Sequence, residues 1–211
     1  MPTFALDPME QRVLGALLEK EMATPEYYPL SLNALVNACN QKNNREPIMQ
    51  LTEPDVLNAT DSLRHQGLAY VHSGREHRVP KYSQGLGQKL NLGNKDLALL
   101  CVLLCRGPQT PGELRGRTQS LHPFEDLDAV LASLARLQSR EEPLARELPK
   151  APGTKESRWC HLLGDSIPGT GPSPEIVAPA TRTGNSRLEE LENRVQQLED
   201  FVERLKAQLG L

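Results

Sequence analysis

The sequence predicts a mainly helical α+β fold with small β-hairpins, in which one supersecondary unit occurs twice ahead of a C-terminal helix. Three observations support this prediction. Helix-start signals recur through the first 163 residues, three amphipathic helices followed by a hairpin-like stretch occur twice, and a heptad pattern of leucine and valine closes the chain. Helical and strand periodicities of this kind are the main sequence signals of secondary structure.

Three helices open the chain. Asp7 provides a cap, Pro8 occupies the first helical position and Glu10 completes a capping box. Thr52 and Asp55 give a weaker version of this signal before the third helix. The apolar residues of each helix fall on one face. The predicted core residues are Val13, Leu14, Leu17 and Leu18, then Leu32, Leu35, Val36 and Cys39, and then Val56, Leu57, Thr60 and Leu63.

A hairpin follows the third helix. Residues 68–72 and 78–82 alternate between apolar and polar side chains around Ser73 and Gly74. Because Pro80 lacks the amide proton that a central strand must donate, the sequence predicts an edge position for the second strand.

The same order repeats in the second part of the chain. Asn94 is a predicted helix cap, and Thr110 with Glu113 forms another capping box. Residues 144–148 and 158–163 predict a second hairpin. The core residues that match those of the first repeat are Leu99, Leu100, Leu103 and Leu104, and then Val130, Leu131, Leu134 and Leu137.

The first repeat is longer because it has insertions on both sides of its second helix. The interval from its first helix to its third is 43 residues (Val13 to Val56), against 31 (Leu99 to Val130) in the second repeat. The additional residues lie around positions 25–29 and 41–51. The second insertion predicts a long connection between the second and third helices.

Three helices followed by a two-stranded hairpin is the arrangement of a winged-helix domain, a variant of the helix-turn-helix. The sequence therefore predicts winged-helix domains at residues 1–90 and 91–163, with a less specific α+β domain as the alternative. Residues 164–185 contain four prolines and four glycines, which predicts a flexible linker.

A heptad pattern predicts a coiled-coil helix over residues 186–211. Valine at a positions and leucine at d positions favour a parallel dimer. Arg187 and Arg194 at g positions would then face Glu192 and Glu199 at e positions of the second chain. A single helix that folds back on its own protein is the alternative. The predicted dimerisation residues are Leu188, Leu191, Val195, Leu198, Val202, Leu205 and Leu209.

The composition argues against several classes of protein. Of the 211 residues 38% are hydrophobic, and the longest apolar run, residues 97–105, is far shorter than a membrane helix requires. The first residues lack the pattern of a signal peptide, and the four cysteines form no Cys-x-x-Cys pair. We therefore expect a cytoplasmic protein with reduced thiols and no metal site. The sequence has no phosphate-binding loop or nucleophile motif, so we expect no enzymatic activity and no cofactor.

Several segments resemble the YceH family of bacterial proteins. They are LEKE (18–21), YPLSLNAL (28–35), NQKNNREP (40–47), KY (81–82) and RGPQTPGELR (106–115). The resemblance covers roughly residues 10–163 and implies two winged-helix domains. It implies little about activity because the function of that family is unknown, so a role in DNA binding rests on architecture alone.

The charge distribution supports DNA binding only weakly. Residues 1–83 carry a net charge of −2, residues 84–163 one of +2 and residues 164–211 one of −3. Duplex binding needs clustered cations that neutralise phosphates. Acidic residues that open the third helix of each repeat stabilise the helix start but oppose phosphate; they are Glu53 and Asp55, and Glu125, Asp126 and Asp128.

Two kinds of segment carry side chains of the types that contact bases and phosphates. One is the polar connection between the second and third helices of the first repeat. The other comprises the two hairpins and the end of the second helix in the second repeat. Solvated connectors and hairpin tips are the structural alternatives. The candidate nucleic-acid-binding residues are Lys42, Asn43, Asn44, Arg45, Arg75, Arg78, Lys81, Arg115, Arg117, Lys155 and Arg158.

Two functional hypotheses follow. The first is a dimeric DNA-binding or transcription-associated regulator whose loops and hairpins contact phosphate. The second is a protein-interaction scaffold that uses its winged helices without intrinsic DNA binding. The predicted fold favours the first hypothesis, whereas the acidic third helices favour the second.

Overall fold

Seven α-helices and two small antiparallel sheets form the part of the chain that the structure describes. The structure is a computed structural model that describes residues 4–74, 77–150, 153 and 156–164. It confirms the predicted mainly helical α+β fold. Within these ranges no helix combines the length and the apolar character that a bilayer crossing requires.

The elements follow the predicted order. The first repeat contains α1 (Pro8–Ala23), a 3-10 helix (Pro25–Tyr27), β1 (Leu30–Ser31), α2 (Leu32–Cys39), α3 (Glu53–His65), β2 (Ala69–Gly74) and β3 (His77–Gln84). A connecting helix follows, α4 (Leu86–Leu90). The second repeat contains α5 (Asn94–Arg106), α6 (Pro111–Arg117), α7 (Leu127–Gln138), β4 (Ala145–Glu147) and β5 (Trp159–His161). The 3-10 helix, β1 and α4 are too short for periodicity to predict them.

The predicted capping signals coincide with helix starts, with one exception. Asp7, Thr52 and Thr110 each form the predicted capping box, at the starts of α1, α3 and α6. The prediction for Asn94 is wrong, since it is the first helical residue of α5 and Gly93 occupies the cap position. The helix starts one residue earlier than expected because its first backbone hydrogen bond already uses the Gly93 carbonyl.

The first sheet has the order β1-β3-β2, so the predicted edge position of β3 is wrong. Pro80 is accommodated in this central strand because β1 pairs only with Lys81 and Tyr82. On the other side, the register of β2 with β3 shifts between His72 and Gly74. Pro80 is therefore in none of the paired positions, and its missing amide leaves no ladder hydrogen bond unmade.

The second repeat has the same connectivity. Strands β4 and β5 pair antiparallel, and Gln109, just ahead of α6, forms an antiparallel bridge with Trp159 of β5. In the first repeat β1 occupies the corresponding place ahead of α2 and pairs with β3. Each repeat thus consists of a helix, a short pairing segment, two helices and a hairpin.

The first helices of the two repeats, α1 and α5, pack directly against each other. A Cβ atom at Gly15 would lie 2.7 Å from Cys105 Sγ and 3.2 Å from the Cβ of Leu104. The Cys101 thiol also donates to the Gly15 carbonyl at 3.5 Å. As a result, one cluster of buried apolar residues runs through both repeats. All four cysteines are buried and unpaired, as the sequence predicts.

His161 of β5 lies in the core of the second repeat and is 9% exposed. Its Nδ1 accepts a hydrogen bond from the Leu163 amide at 3.3 Å, so the neutral ring carries its proton on Nε2. Burial lowers the pKa of His161 to about 4. The imidazole is therefore neutral near pH 7.

Several predictions fall on residues that the structure does not describe. They concern the linker from residue 165 onward, the coiled-coil helix and its dimerisation residues Leu188, Leu191, Val195, Leu198, Val202, Leu205 and Leu209. The heptad pattern remains the basis for a dimer. The boundaries of the predicted domains likewise stay predictions.

We expect Gly15→Ala to destabilise the protein by about 1–3 kcal/mol, because an added methyl group overpacks the contact between α1 and α5. The matched control is Gly116→Ala in α6, where a Cβ atom meets nothing within 4 Å. There the higher helix propensity of alanine should stabilise the protein by up to about 1 kcal/mol. Urea unfolding followed by circular dichroism measures both changes. Effects of the same sign and size at the two positions would contradict the close packing at Gly15.

The free energy of unfolding should fall as the pH is lowered from about 6.5 to about 4. In this window His161 binds a proton in the unfolded chain but not in the folded one. Its contribution is therefore complete above pH 6.5 and is lost as the pH approaches 4. The loss amounts to about 3 kcal/mol. In His161→Gln the pH dependence that comes from His161 is absent, while that of the carboxylates is unchanged. Parallel stability profiles for the two proteins would show that the ring is not buried.

Candidate nucleic-acid interface

The α2–α3 loop, residues 40–52, is held in shape by its own polar groups. Asn40 closes the loop, because its Nδ2 donates to the Leu51 carbonyl at 2.8 Å and its Oδ1 accepts from the Leu51 amide at 2.7 Å. Asn44 has a left-handed backbone conformation (φ 59°), and its side chain accepts a hydrogen bond from an arginine of α5. The Glu46 amide donates to a carbonyl near the end of α5 at 2.9 Å. The predicted insertion is therefore a loop anchored to the second repeat.

Arg45 points inward from this loop. Its guanidinium donates to both carboxylate oxygens of Glu19 on α1, at 2.6 and 3.1 Å, and to the Ala38 carbonyl at 2.9 and 3.1 Å. The Arg45 side chain is 0% exposed. Although burial alone would raise it, Arg45 holds the pKa of the Glu19 carboxyl below its ordinary value. The predicted nucleic-acid contact of Arg45 is thus replaced by an internal counter-ion.

A second buried arginine, Arg12 of α1, was not among the predicted site residues. It is 1% exposed, and it donates to the Cys39 carbonyl at 3.2 Å and to the Pro47 carbonyl at 2.6 Å. It thereby links α1 to the end of α2 and to the α2–α3 loop. The sequence contains one signal for the burial of Arg12. It lies seven residues before Glu19, and that spacing places both charges on one helix face.

The remaining predicted residues of the first repeat differ in how the structure places them. Lys42 and Asn43 are exposed on the α2–α3 loop, and Lys81 is half-buried on β3. Arg78 belongs to β3, but its side chain, like the whole of Arg75, lies outside the described residues. Of the predicted cations of the first repeat, the structure therefore describes the side chains of Lys42 on the loop and Lys81 on the hairpin outside the core.

The predicted arginines of the second repeat form bonds within their own surface. Arg115 donates to a carbonyl just before α7 at 2.7 Å. The Glu113 carboxylate pairs with Arg117 at 3.6 Å and with Arg158 at 3.1 Å. Burial opposes ionisation of Glu113, but a capping amide and these arginines hold the pKa of its carboxyl below its ordinary value. Exposed pairs contribute about 1 kcal/mol or less, so these arginines can exchange partners. Lys155 lies outside the described residues.

The exposed side chains of α3 and α7 include acidic and apolar residues, and the one exposed arginine of each helix is paired with an aspartate. Glu53 is exposed on α3, and Leu127 and Asp128 are exposed on α7. The prediction that Leu57 and Leu131 are core residues is wrong, because they are 37% and 39% exposed. Each follows a buried valine by one position and therefore points about 100° away from it around the helix. Neither third helix presents a basic face.

Comparison with known proteins identifies a family. The model of a family described as protein of unknown function, DUF480, matches residues 6–154. A UPF0502 protein of Koribacter versatilis is 46% identical over 196 residues, which cover 93% of this chain and 91% of the relative. A UPF0502 protein of Geotalea uraniireducens is 50% identical over 194 residues, 90% of this chain and 88% of the relative. A UPF0502 protein of Cupriavidus pinatubonensis is 43% identical over 218 residues, which cover 100% of this chain and 92% of the relative.

Removing one partner of the buried ion pair should lower the free energy of unfolding more than neutralising both partners does. Arg45→Met removes the bidentate partner of the buried Glu19 carboxylate and leaves only Lys20, 3.6 Å away, as a counter-ion, at a cost of about 3 kcal/mol. The double variant Glu19→Gln with Arg45→Met contains no unpaired charge and should recover part of that loss. Urea unfolding of the two single variants, the double variant and the parent gives the coupling energy. Strictly additive effects would contradict a direct interaction.

Proposed function

We propose a function for a chain that belongs to the DUF480 family, the YceH-like bacterial proteins of unknown function that its sequence resembles. The proposed protein is a non-catalytic pair of winged-helix units that binds duplex DNA. Its contacts are with phosphates and come from the α2–α3 loop and the β2–β3 hairpin of the first repeat.

The connectivity of the two repeats supports the winged-helix part of this proposal. In both repeats the segment ahead of the second helix pairs with the last strand of the hairpin, through β1 with β3 and through Gln109 with Trp159. A winged helix has this order of helix, short strand, two helices and hairpin. Its occurrence twice in one chain supports the assignment of both repeats to the same architecture.

The positions of cations around α3 support the DNA-binding part of the proposal. Lys42 is exposed on the loop that leads into α3. The hairpin that follows α3 contains Arg75, Arg78 and Lys81 within seven residues, with Glu76 as the single acidic residue among them. Cations at both ends of a third helix can contact the phosphate backbone on either side of a groove. Arg45 is left out of this set because it neutralises Glu19.

The acidic start of α3 determines the proposed mode of binding. If α3 entered the major groove as a recognition helix, Glu53 and Asp55 would approach phosphate oxygens. We therefore place the contacts in the loop and the hairpin alone. Binding of this kind depends strongly on salt and reads little base sequence. The predicted parallel dimer would put two such surfaces in one particle and raise the apparent affinity.

A protein-interaction scaffold is the second candidate function. It is favoured by the outer face of α7, where Leu127 and Leu131 are exposed beside acidic residues. Apolar side chains at the centre of a surface patch are typical of protein interfaces rather than of DNA interfaces. Under this hypothesis the protein has no intrinsic affinity for a duplex.

Fluorescence anisotropy of a labelled mixed-sequence duplex tests the DNA proposal. The full chain should bind at low salt, and its affinity should fall steeply as the salt concentration approaches the physiological value. The triple variant Lys42→Ala, Arg78→Ala and Lys81→Ala should reduce the slope of log affinity against log salt by about 1 for each phosphate that is no longer neutralised. The three substitutions leave the buried pair of Arg45 intact.

Lys95→Ala is the matched control, because it removes an exposed lysine of α5 that is outside the proposed surface. It should weaken binding much less than Lys42→Ala does. Absence of duplex binding at low salt would exclude the DNA proposal and favour the scaffold. Equal losses of affinity in Lys95→Ala and Lys42→Ala would exclude the proposed surface.

A further inference from the structure

A cavity of about 180 Å³ opens between α1, the α2–α3 loop, the C-terminal end of α5 and β5. Its lining is mainly apolar, and none of its residues is in the proposed DNA-binding set. The side chains that matter for its chemistry are the apolar Met49, Leu103 and Leu104, and the polar Arg12, Glu46 and His161.

The guanidinium of Arg12 is a buried charge without a carboxylate partner among the described residues. It donates to two backbone carbonyls, and its Nε is buried with no hydrogen-bond partner in that part of the chain. The Glu19 carboxylate, seven residues further along α1, is already paired with Arg45. Among the described residues the Arg12 guanidinium is therefore stabilised by backbone carbonyls alone. Since burial of an uncompensated charge is costly, this wall of the cavity favours an anion.

His161 adds a hydrogen-bond donor to the same cavity. Its Nδ1 is occupied by the Leu163 amide, and its Nε2 has no partner among the described residues. Because the ring is neutral and Nδ1 accepts, Nε2 carries the proton and can donate. A neutral donor beside a buried cation suits an oxygen ligand of negative charge.

We propose that this cavity binds a small organic carboxylate with an aryl or short alkyl body. The carboxylate lies toward Arg12 and His161, and the apolar body lies against the leucines of α5. A volume of 180 Å³ holds roughly six waters, or a ligand of about ten non-hydrogen atoms. This inference is independent of the proposed DNA binding, since it rests on different residues.

Glu46 allows a test of whether the ligand is an anion or a cation. Glu46 is one of the residues that line the cavity, and it is exposed on the α2–α3 loop. A negative charge there repels an anionic ligand and would attract a cationic one. Glu46→Gln therefore has opposite effects on the two ligand classes.

The experiment titrates the full chain with 4-fluorobenzoate and follows the 19F NMR signal. We expect saturable binding with a dissociation constant on the order of 1 mM, as for a ligand of this size at ordinary efficiency. Glu46→Gln should tighten binding by about threefold, since it removes a like charge. The neutral analogue 4-fluorobenzamide should bind at least about tenfold more weakly, since it has no charge to pair with Arg12.

Two variants test the site itself. Arg12→Gln should abolish binding, and circular dichroism shows whether this variant folds. Met49→Trp, which fills the cavity without changing any charge, should also abolish binding and keeps the test valid if Arg12→Gln does not fold. The proposal is overturned by absence of saturable binding, by equal binding of the amide, or by an affinity of Glu46→Gln equal to or below that of the parent.

Discussion

The ion pair between Glu19 and Arg45 is the constraint on which the first repeat depends. A buried carboxylate on α1 needs a cation, and the α2–α3 loop supplies it by folding back across the end of α2. Once Arg45 is fixed, Asn40 can close the loop on Leu51, one residue before the cap of α3. The position of α3 thus follows from an electrostatic requirement in α1, at Glu19, more than thirty residues earlier in the chain.

The same requirement explains why charge counts in the sequence are poor guides to this surface. The second repeat has a net charge of +2, yet its arginines at positions 115, 117 and 158 bond to backbone carbonyls of the same repeat or to Glu113. In the first repeat, Arg12 and Arg45 are inside the protein. What determines binding is the number of cations that solvent can reach, and this number is smaller than the formal count.

Much of the fold could be predicted because its signals are local. Capping boxes at Asp7, Thr52 and Thr110 define helix starts within four residues, and apolar periodicity identifies the buried faces. The candidate site was harder to predict, because burial of Arg45 depends on a partner 26 positions away. The position of Pro80 likewise depends on how far β1 extends along β3. Contacts between distant segments leave no periodic pattern in the sequence.

The shared core limits how the two repeats can act. Gly15 allows α1 to approach α5 closely, and the α2–α3 loop is anchored to the end of α5 as well. The two repeats therefore hold their outer surfaces in a fixed relation. The cations around α3 and the acidic, apolar face of α7 belong to one body, so a ligand on one surface cannot be accommodated by moving the other repeat away. The proposed DNA contacts around α3 and the proposed protein contacts on α7 would therefore use separate faces of the same body.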